Sequence, residues 1–191
     1  VHEEMSAQIV GVIEVVFFFN EKTNSRDSRA IVAKETPDKR IGFTISRVMR
    51  EEDGDKGRTI DVTKQLYDSL RYDSEAEAFI GELRREDGTS VYMLIDHDGN
   101  QIGKEFFGSI SSFKNGCAVA KIEVFETLID IDGNLFFKPG EYLSITLPDK
   151  DGFFTGVQLM RNGKNTMFKM MMFRWNQKER KVTVYSRDSE S

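Results

Sequence analysis

Turn signals punctuate the second half of this chain at short intervals: Asp98-Gly99-Asn100, Lys114-Asn115-Gly116, Asp132-Gly133-Asn134, Lys138-Pro139-Gly140, Asp151-Gly152 and Arg161-Asn162-Gly163-Lys164. Glycine takes up left-handed backbone freely and Asp and Asn tolerate it, which suits all three to tight turns. Between successive signals lie short runs rich in β-branched or aromatic residues, so from Val91 onward the pattern predicts meandering antiparallel hairpins.

The first half carries a different signal. Ile9-Val10-Gly11-Val12-Ile13-Glu14-Val15-Val16-Phe17-Phe18-Phe19 is apolar on both alternating sets except at Glu14, the pattern of a central strand buried on both faces. A polar loop over Asn20–Ser28 leads to expected strands at Ala30–Ala33 and Ile41–Ile45, and Glu51–Gly57 reads as a charged, solvated connection. Around 62–85 the period changes. Ser74-Glu75-Ala76-Glu77 has capping-box spacing, and Ala76, Phe79, Ile80 and Leu83 recur at helical intervals; an extended reading of the same stretch stands beside the helical one. The expected fold class is mainly β, with antiparallel hairpins and meanders that are repeat-like in the C-terminal half and at most one or two short helices around residues 62–85. The expected division is an N-terminal β segment over residues 1–60 and a repeat-like antiparallel β region over 61–191, which can continue the first segment in one domain.

With 191 residues, 39% of them apolar and 31% charged, the chain can bury a core without a staple. Its one cysteine, Cys117, has no partner for a disulfide or a thiolate metal cage; it reads as a buried small hydrophobe in a reducing, cytoplasmic setting. The apolar run at Ile9–Phe19 contains a glutamate and falls short of the roughly 20 residues that a bilayer-spanning helix needs. Val1–Met5 is acidic where a secretory leader is basic, so neither membrane insertion nor export is expected. No nucleophile elbow, phosphate loop, paired-histidine helix or Cys-x-x-Cys occurs, and the two histidines are His2 and His97. The chain is therefore read as a non-enzyme with no cofactor and no metal. The Asp-x-Asp-Gly-Asn segments place glycine fourth, not sixth as in the helix-loop-helix calcium site, and a two-residue hairpin turn accounts for them.

Charge is unevenly spread. Residues 157–187 hold eight Lys and Arg against the single acid Glu179, whereas residues 1–156 hold 19 basic and 29 acidic residues. Lys164, Lys169, Arg174, Lys178, Arg180, Lys181 and Tyr185 are the candidate partner-binding residues in this basic segment. Basic side chains interleaved with Phe168, Phe173, Trp175 and Tyr185 would suit single-stranded nucleic acid. Against that, Met167, Met171, Phe173 and Trp175 alternate with Phe168, Met170 and Met172, the pattern of a strand whose aromatics are core. An exposed face on the Met170-Met171-Met172 run would instead mark a protein contact, and the apolar first strand could likewise be an edge that pairs with another chain.

Leu94-Ile95-Asp96-His97-Asp98-Gly99-Asn100 recurs as Leu128-Ile129-Asp130-Ile131-Asp132-Gly133-Asn134, 34 residues on. Together with Phe113, Gly116, Ala118 and Val119, these segments resemble the bacterial WG-repeat (KWG-repeat) proteins over about residues 65–137. Met93-Leu94 and Thr127-Leu128 stand where that family has Trp-Gly. The resemblance implies small antiparallel β units arrayed side by side, in bacteria and some of their viruses, with no common catalytic function. The function expected is a non-enzymatic protein-binding, scaffolding or assembly role, with a protein partner or self-association. A nucleic-acid-binding module and a virus-encoded structural or host-defence-blocking protein are the alternatives.

Overall fold

The computed structural model describes residues 7–49 and 58–185. Val1–Met5, the loop expected over Glu51–Gly57 and Arg187 lie outside the described residues. Every regular element among the described residues is a strand, and the pairings between strands are antiparallel. The mainly β expectation holds.

Two compact units divide the chain, Val1–Ile102 and Gly103–Ser191. In the first unit, β1 (Gln8–Asn20), β2 (Ser25–Glu35), β3 (Ile41–Val48) and β4 (Thr59–Asp61) form a sheet in chain order. β5 (Ser69–Asp73), β6 (Ala78–Arg84) and β7 (Ser90–Ile95) form the next sheet with β8 (Gln101–Phe107), within which the chain passes into the second unit. A two-way backbone bridge between Phe43 and Tyr67, 2.8 Å in each direction, ties β3 to the segment before β5. Val16, Ile31 and Ile45 then pack with Tyr67, Phe79, Met93 and Ile95 in one core. That core spans the boundary expected after residue 60, because neither sheet can cover its own apolar face.

The helical reading of 74–83 gives way to a hairpin. Asp73, not Ser74, takes the free amides: its Oδ1 accepts from Glu75 N (3.1 Å) and Ala76 N (3.0 Å), turning the chain between β5 and β6. Phe79 and Ile80, which a helix would set on one side, point to opposite faces of β6 and are both buried.

In the second unit, β9 (Ser109–Ile110), β10 (Cys117–Ile122) and β11 (Phe125–Asp130) pair in the order β11-β10-β9. β12 (Ser144–Ile145), β13 (Phe153–Asn162), β14 (Asn165–Asn176) and β15 (Lys181–Val184) form a sheet in chain order. Their shared core contains Cys117, Leu128, Tyr142, Phe154, Phe173 and Trp175, so the lone thiol is the buried small hydrophobe that its neighbours suggested.

The repeated segments share one turn, longer than the expected two-residue type. Asp96 N donates to the Asn100 carbonyl (2.8 Å) and Gly99 N to the Asp96 carbonyl (3.1 Å), while Asp96 Oδ1 accepts from the amides of Asp98 and Asn100, both at 2.9 Å. Asp130 does the same for Asp132, Gly133 and Asn134. A third copy, unseen in the sequence comparison, is built on Asp149, with Asp151 and Phe153 as donors. In each copy the glycine alone is left-handed, at φ 83° (Gly99), 77° (Gly133) and 90° (Gly152).

Candidate functional site

β13 and β14 are long strands joined by a turn at Gly163-Lys164, with glycine in the first central position, the residue a type II′ turn requires. Near β15 the hairpin is rooted in the core by Phe154 paired with Phe173, and by Trp175, whose indole N–H donates to the Asn115 carbonyl (3.1 Å). Towards the turn it becomes an exposed arm. Cross-strand partners share a face, so Thr155/Met172, Val157/Met170, Leu159/Phe168 and Arg161/Thr166 line one side. On that side Phe168 is 69% and Met170 71% exposed, with Leu159 and Met172 also exposed. The opposite side carries Phe173 at 3% and Trp175 at 6%. Phe173 and Trp175 are core, as expected; Phe168 and Met170 are not, because they project from the opposite face of β14, which stays in solvent at Met172 and Arg174 too.

β1 shows a second face of the same kind. Of the two readings of this segment, a central strand and an edge, the edge is the one found, with β2 on one side and no described strand on the other. Its register with β2 is broken by bulges between Ile9 and Gly11 and between Val12 and Glu14. Each bulge skips a residue and resets the alternation. As a result Ile9, Val12, Val15, Phe17 and Phe19 fall on one face, opposite Lys34, Val32, Ala30, Ser28 and Arg26, while Val16 and Phe18 turn to the core. All five are exposed, and the Arg26 guanidinium lies 5.1 Å from the Phe17 ring centre. The apolar density that suggested burial on both faces here builds a surface.

The basic candidates divide among three places in the second unit. Lys164 is at the tip of the arm, and Lys169, paired with Gln158, is on the arm's other side between Met167 and Met171. Arg174, Lys178, Arg180, Lys181 and Tyr185 cluster at the base. There Arg174 Nε donates to the Asp151 carbonyl (3.3 Å) with its guanidinium 5.2 Å from the Phe153 ring, Tyr185 meets Phe153 edge-on at 5.2 Å, and Arg180 pairs with Asp132. Lys178 sits in the turn leading to β15. Arg174 and Lys181 line an open polar cleft of about 460 Å³ with Asp149, Asp151, Gln177 and Thr183. Its walls can exchange hydrogen bonds with a polar ligand, but the Trp175 ring edge is already committed to Asn115.

His97, read from sequence as a turn residue, is also a packing residue of the first unit. Its ring stacks on Phe18 (centroids 3.6 Å apart, planes 5° from parallel), its Nε2 lies 3.0 Å from the Tyr72 hydroxyl, and its carbonyl accepts from Arg29 Nε at 2.7 Å. Burial, then the Arg29 charge, lowers the His97 pKa. Burial together with the charges of Glu77 and Asp73 pushes Tyr72 up to about 12. Arg29 is itself buried and paired with Asp27 at 3.0 Å.

Sequence reasoning did not single out Ile9, Val12, Val15, Phe17 and Phe19 as one exposed face, nor Leu159 as a surface residue. Strand length is the signal that could have found the arm: β13 and β14 are about twice the usual five or six residues, more than the body at their base can cover. For β1 no such signal exists, since two bulges decide which side chains share a face. Among the described residues no helix is long and apolar enough to cross a membrane. Compared with known protein families, curated proteins and solved structures, the chain finds no match.

Proposed function

We propose that this chain is a non-enzymatic β-rich protein that binds another protein or assembles with itself, in a cytoplasmic setting. One observation carries the reading: its two longest hairpins, β1-β2 and β13-β14, each leave a line of large apolar side chains in solvent. Contiguous exposed apolar surface costs a monomer solubility and is characteristic of contact sites. The likeness to WG-repeat proteins at Ile95, Asp96, Gly99, Phe113 and Gly116 supports the same role, and a single, buried cysteine, Cys117, fits a reducing compartment. Size-exclusion chromatography with light scattering, run alongside a pull-down, tests the proposal. A strict monomer that retains no partner would overturn it.

A second reading, single-stranded nucleic acid binding, draws on the exposed Phe168 ring next to Lys169, on an arm that carries basic residues and no acid. It requires retention on single-stranded DNA that falls steeply with salt. Reversing the charge of Lys164 and Lys169 should weaken that retention; if neither salt nor reversal changes it, this reading fails.

A further inference from the structure

We propose that the arm takes up an extended, acidic segment of a partner polypeptide as an antiparallel strand added along the open edge of β14. The added segment sets its acidic side chains on the Lys169 face and its apolar ones beside Phe168 and Met170; the proposal rests on the protein-binding reading and gives the partner a chemistry. The Met172 carbonyl accepts from Tyr185 N (2.7 Å), so the backbone of Met172 points out of the hairpin towards the chain that follows β15. Backbone direction alternates along a strand, which turns the N–H and C=O groups of Met170, Phe168 and Thr166 the same way. The pairing of β15 with β14 reaches no further than Phe173 and Val184, and beyond Met172 no described strand meets these groups. They stand in line with an existing strand, the template on which a peptide adds to a sheet. A two-stranded ribbon is marginal in water by itself, and a third strand is what the arm lacks.

Charge selects the occupant. From Gly152 to Lys178 the chain carries Arg161, Lys164, Lys169, Arg174 and Lys178 and no Asp or Glu. Among the described residues Arg161, Lys164 and Lys169 form no ion pair. Lys169 lies midway along the open edge, on the face opposite Phe168, so an added strand brings one side chain directly across from it. Asp or Glu at that place, alternating with apolar residues that widen the exposed row of Leu159, Phe168 and Met170, complements both faces. Other occupants fit less well. Single-stranded nucleic acid needs successive rings for its bases, and between Thr155 and Met172 the one aromatic residue is Phe168. A lipid surface would draw the open backbone edge into hydrocarbon, where unpaired N–H and C=O groups are not tolerated. A second copy of the arm would bring Arg161, Lys164 and Lys169 near their own counterparts with no acid between them.

The probe is a fluorescent peptide of alternating Val and Glu, titrated with the full chain and followed by anisotropy. It should bind saturably, and its Val-Lys counterpart should bind about tenfold more weakly or not at all. Lys169→Glu, at an exposed position, should reverse that order and leave the far-UV spectrum as in the wild type. Residues that share a face across an antiparallel ladder also share its hydrogen bonds, so the valine amides are the ones turned to Phe168 and Met170. Methylating the valine nitrogens should therefore abolish binding, and methylating the glutamate nitrogens should leave it near that of the parent peptide. Any other methylation pattern overturns the proposal, as does binding that Lys169→Glu leaves unchanged, or oligo-dT held more tightly than the peptide. A chain ending at Tyr185 should match the full one; peptide binding about tenfold tighter in the shortened chain would make residues 186–191 the occupant and overturn it as well. So would no peptide binding at all; an oligomer in light scattering, or a retained partner that Lys169→Glu does not release, would then leave the protein-binding reading standing.

Discussion

Gly152 closes the turn built on Asp149 in the second unit. At φ 90° it lies where side chains other than glycine are strained, its amide donates to the Asp149 carbonyl (3.0 Å) and its carbonyl accepts from Trp175 N (2.7 Å). A Cβ there would overlap the Trp175 carbonyl oxygen, which belongs to backbone and cannot swing away. Gly152→Ala should therefore cost about 2–4 kcal/mol in urea unfolding, from left-handed strain plus overpacking. At His97 the consequence is a pH dependence. Because burial and Arg29 hold the imidazole below its ordinary 6.5, the unfolded chain takes up the proton first. The stability due to His97 is whole above about pH 6.5 and is lost as pH falls through the lower folded-state value. Asp98, kept below its ordinary range first by the Lys22 hydrogen bond, stays charged over the start of that window. Thermal midpoints measured from pH 7.5 down to 5 should fall in the wild type and fall less in His97→Phe, which keeps the stack on Phe18 but cannot titrate.

At the scale of the element, the Asp-centred turn and the exposed arm make opposite predictions. Asp130 is buried; its Oδ1 accepts from Asp132 N and Asn134 N, each at 2.9 Å, and its Oδ2 from Asn134 Nδ2 at 3.0 Å. Asp130→Ala leaves these donors without their carboxylate and should destabilise the protein by about 1.5–3 kcal/mol, read from the urea midpoint. Along β14, neighbouring substitutions should differ by several kcal/mol. Phe173→Ala opens a cavity in a core shared with Phe154, Phe137 and Tyr142, and should cost about 3–5 kcal/mol. Phe168→Ser, five residues away on the exposed face, should change stability by about 0.5 kcal/mol or less while reducing association or partner retention. Equal losses at the two positions would mean that the arm is packed against its own chain.

For the whole molecule, the main feature is that each unit has its own apolar core, one built on Phe79 and Ile31, the other on Phe154 and Phe173. The single tryptophan, Trp175, belongs to the second. Phe79→Ala should lower the far-UV transition by about 3–5 kcal/mol and leave the Trp175 fluorescence midpoint near its wild-type value. Coincident shifts by both probes would show that the units unfold as one.

The alternation of turn residues with β-branched runs was enough to determine the fold class and nearly every hairpin after Val91, because turn geometry and strand pairing are local properties that Gly, Asn and Asp dictate within a few residues. It also placed Cys117, Phe173 and Trp175 correctly in a core. The helical spacing at Ala76, Phe79, Ile80 and Leu83 misled because Phe79 and Ile80 are buried on two faces of one strand, and period alone cannot tell two buried faces from one. Which apolar segments are core and which are surface was decided only in three dimensions. Val10 and Ile13 are the residues skipped at the bulges, and no propensity marks them out, yet they set the face on which Val12, Val15 and Phe17 lie. Phe168 and Phe173 are chemically alike; their burial differs because they project from opposite faces of β14, one covered by the core of its unit and the other open to solvent, and which face is covered is a property of the assembled fold.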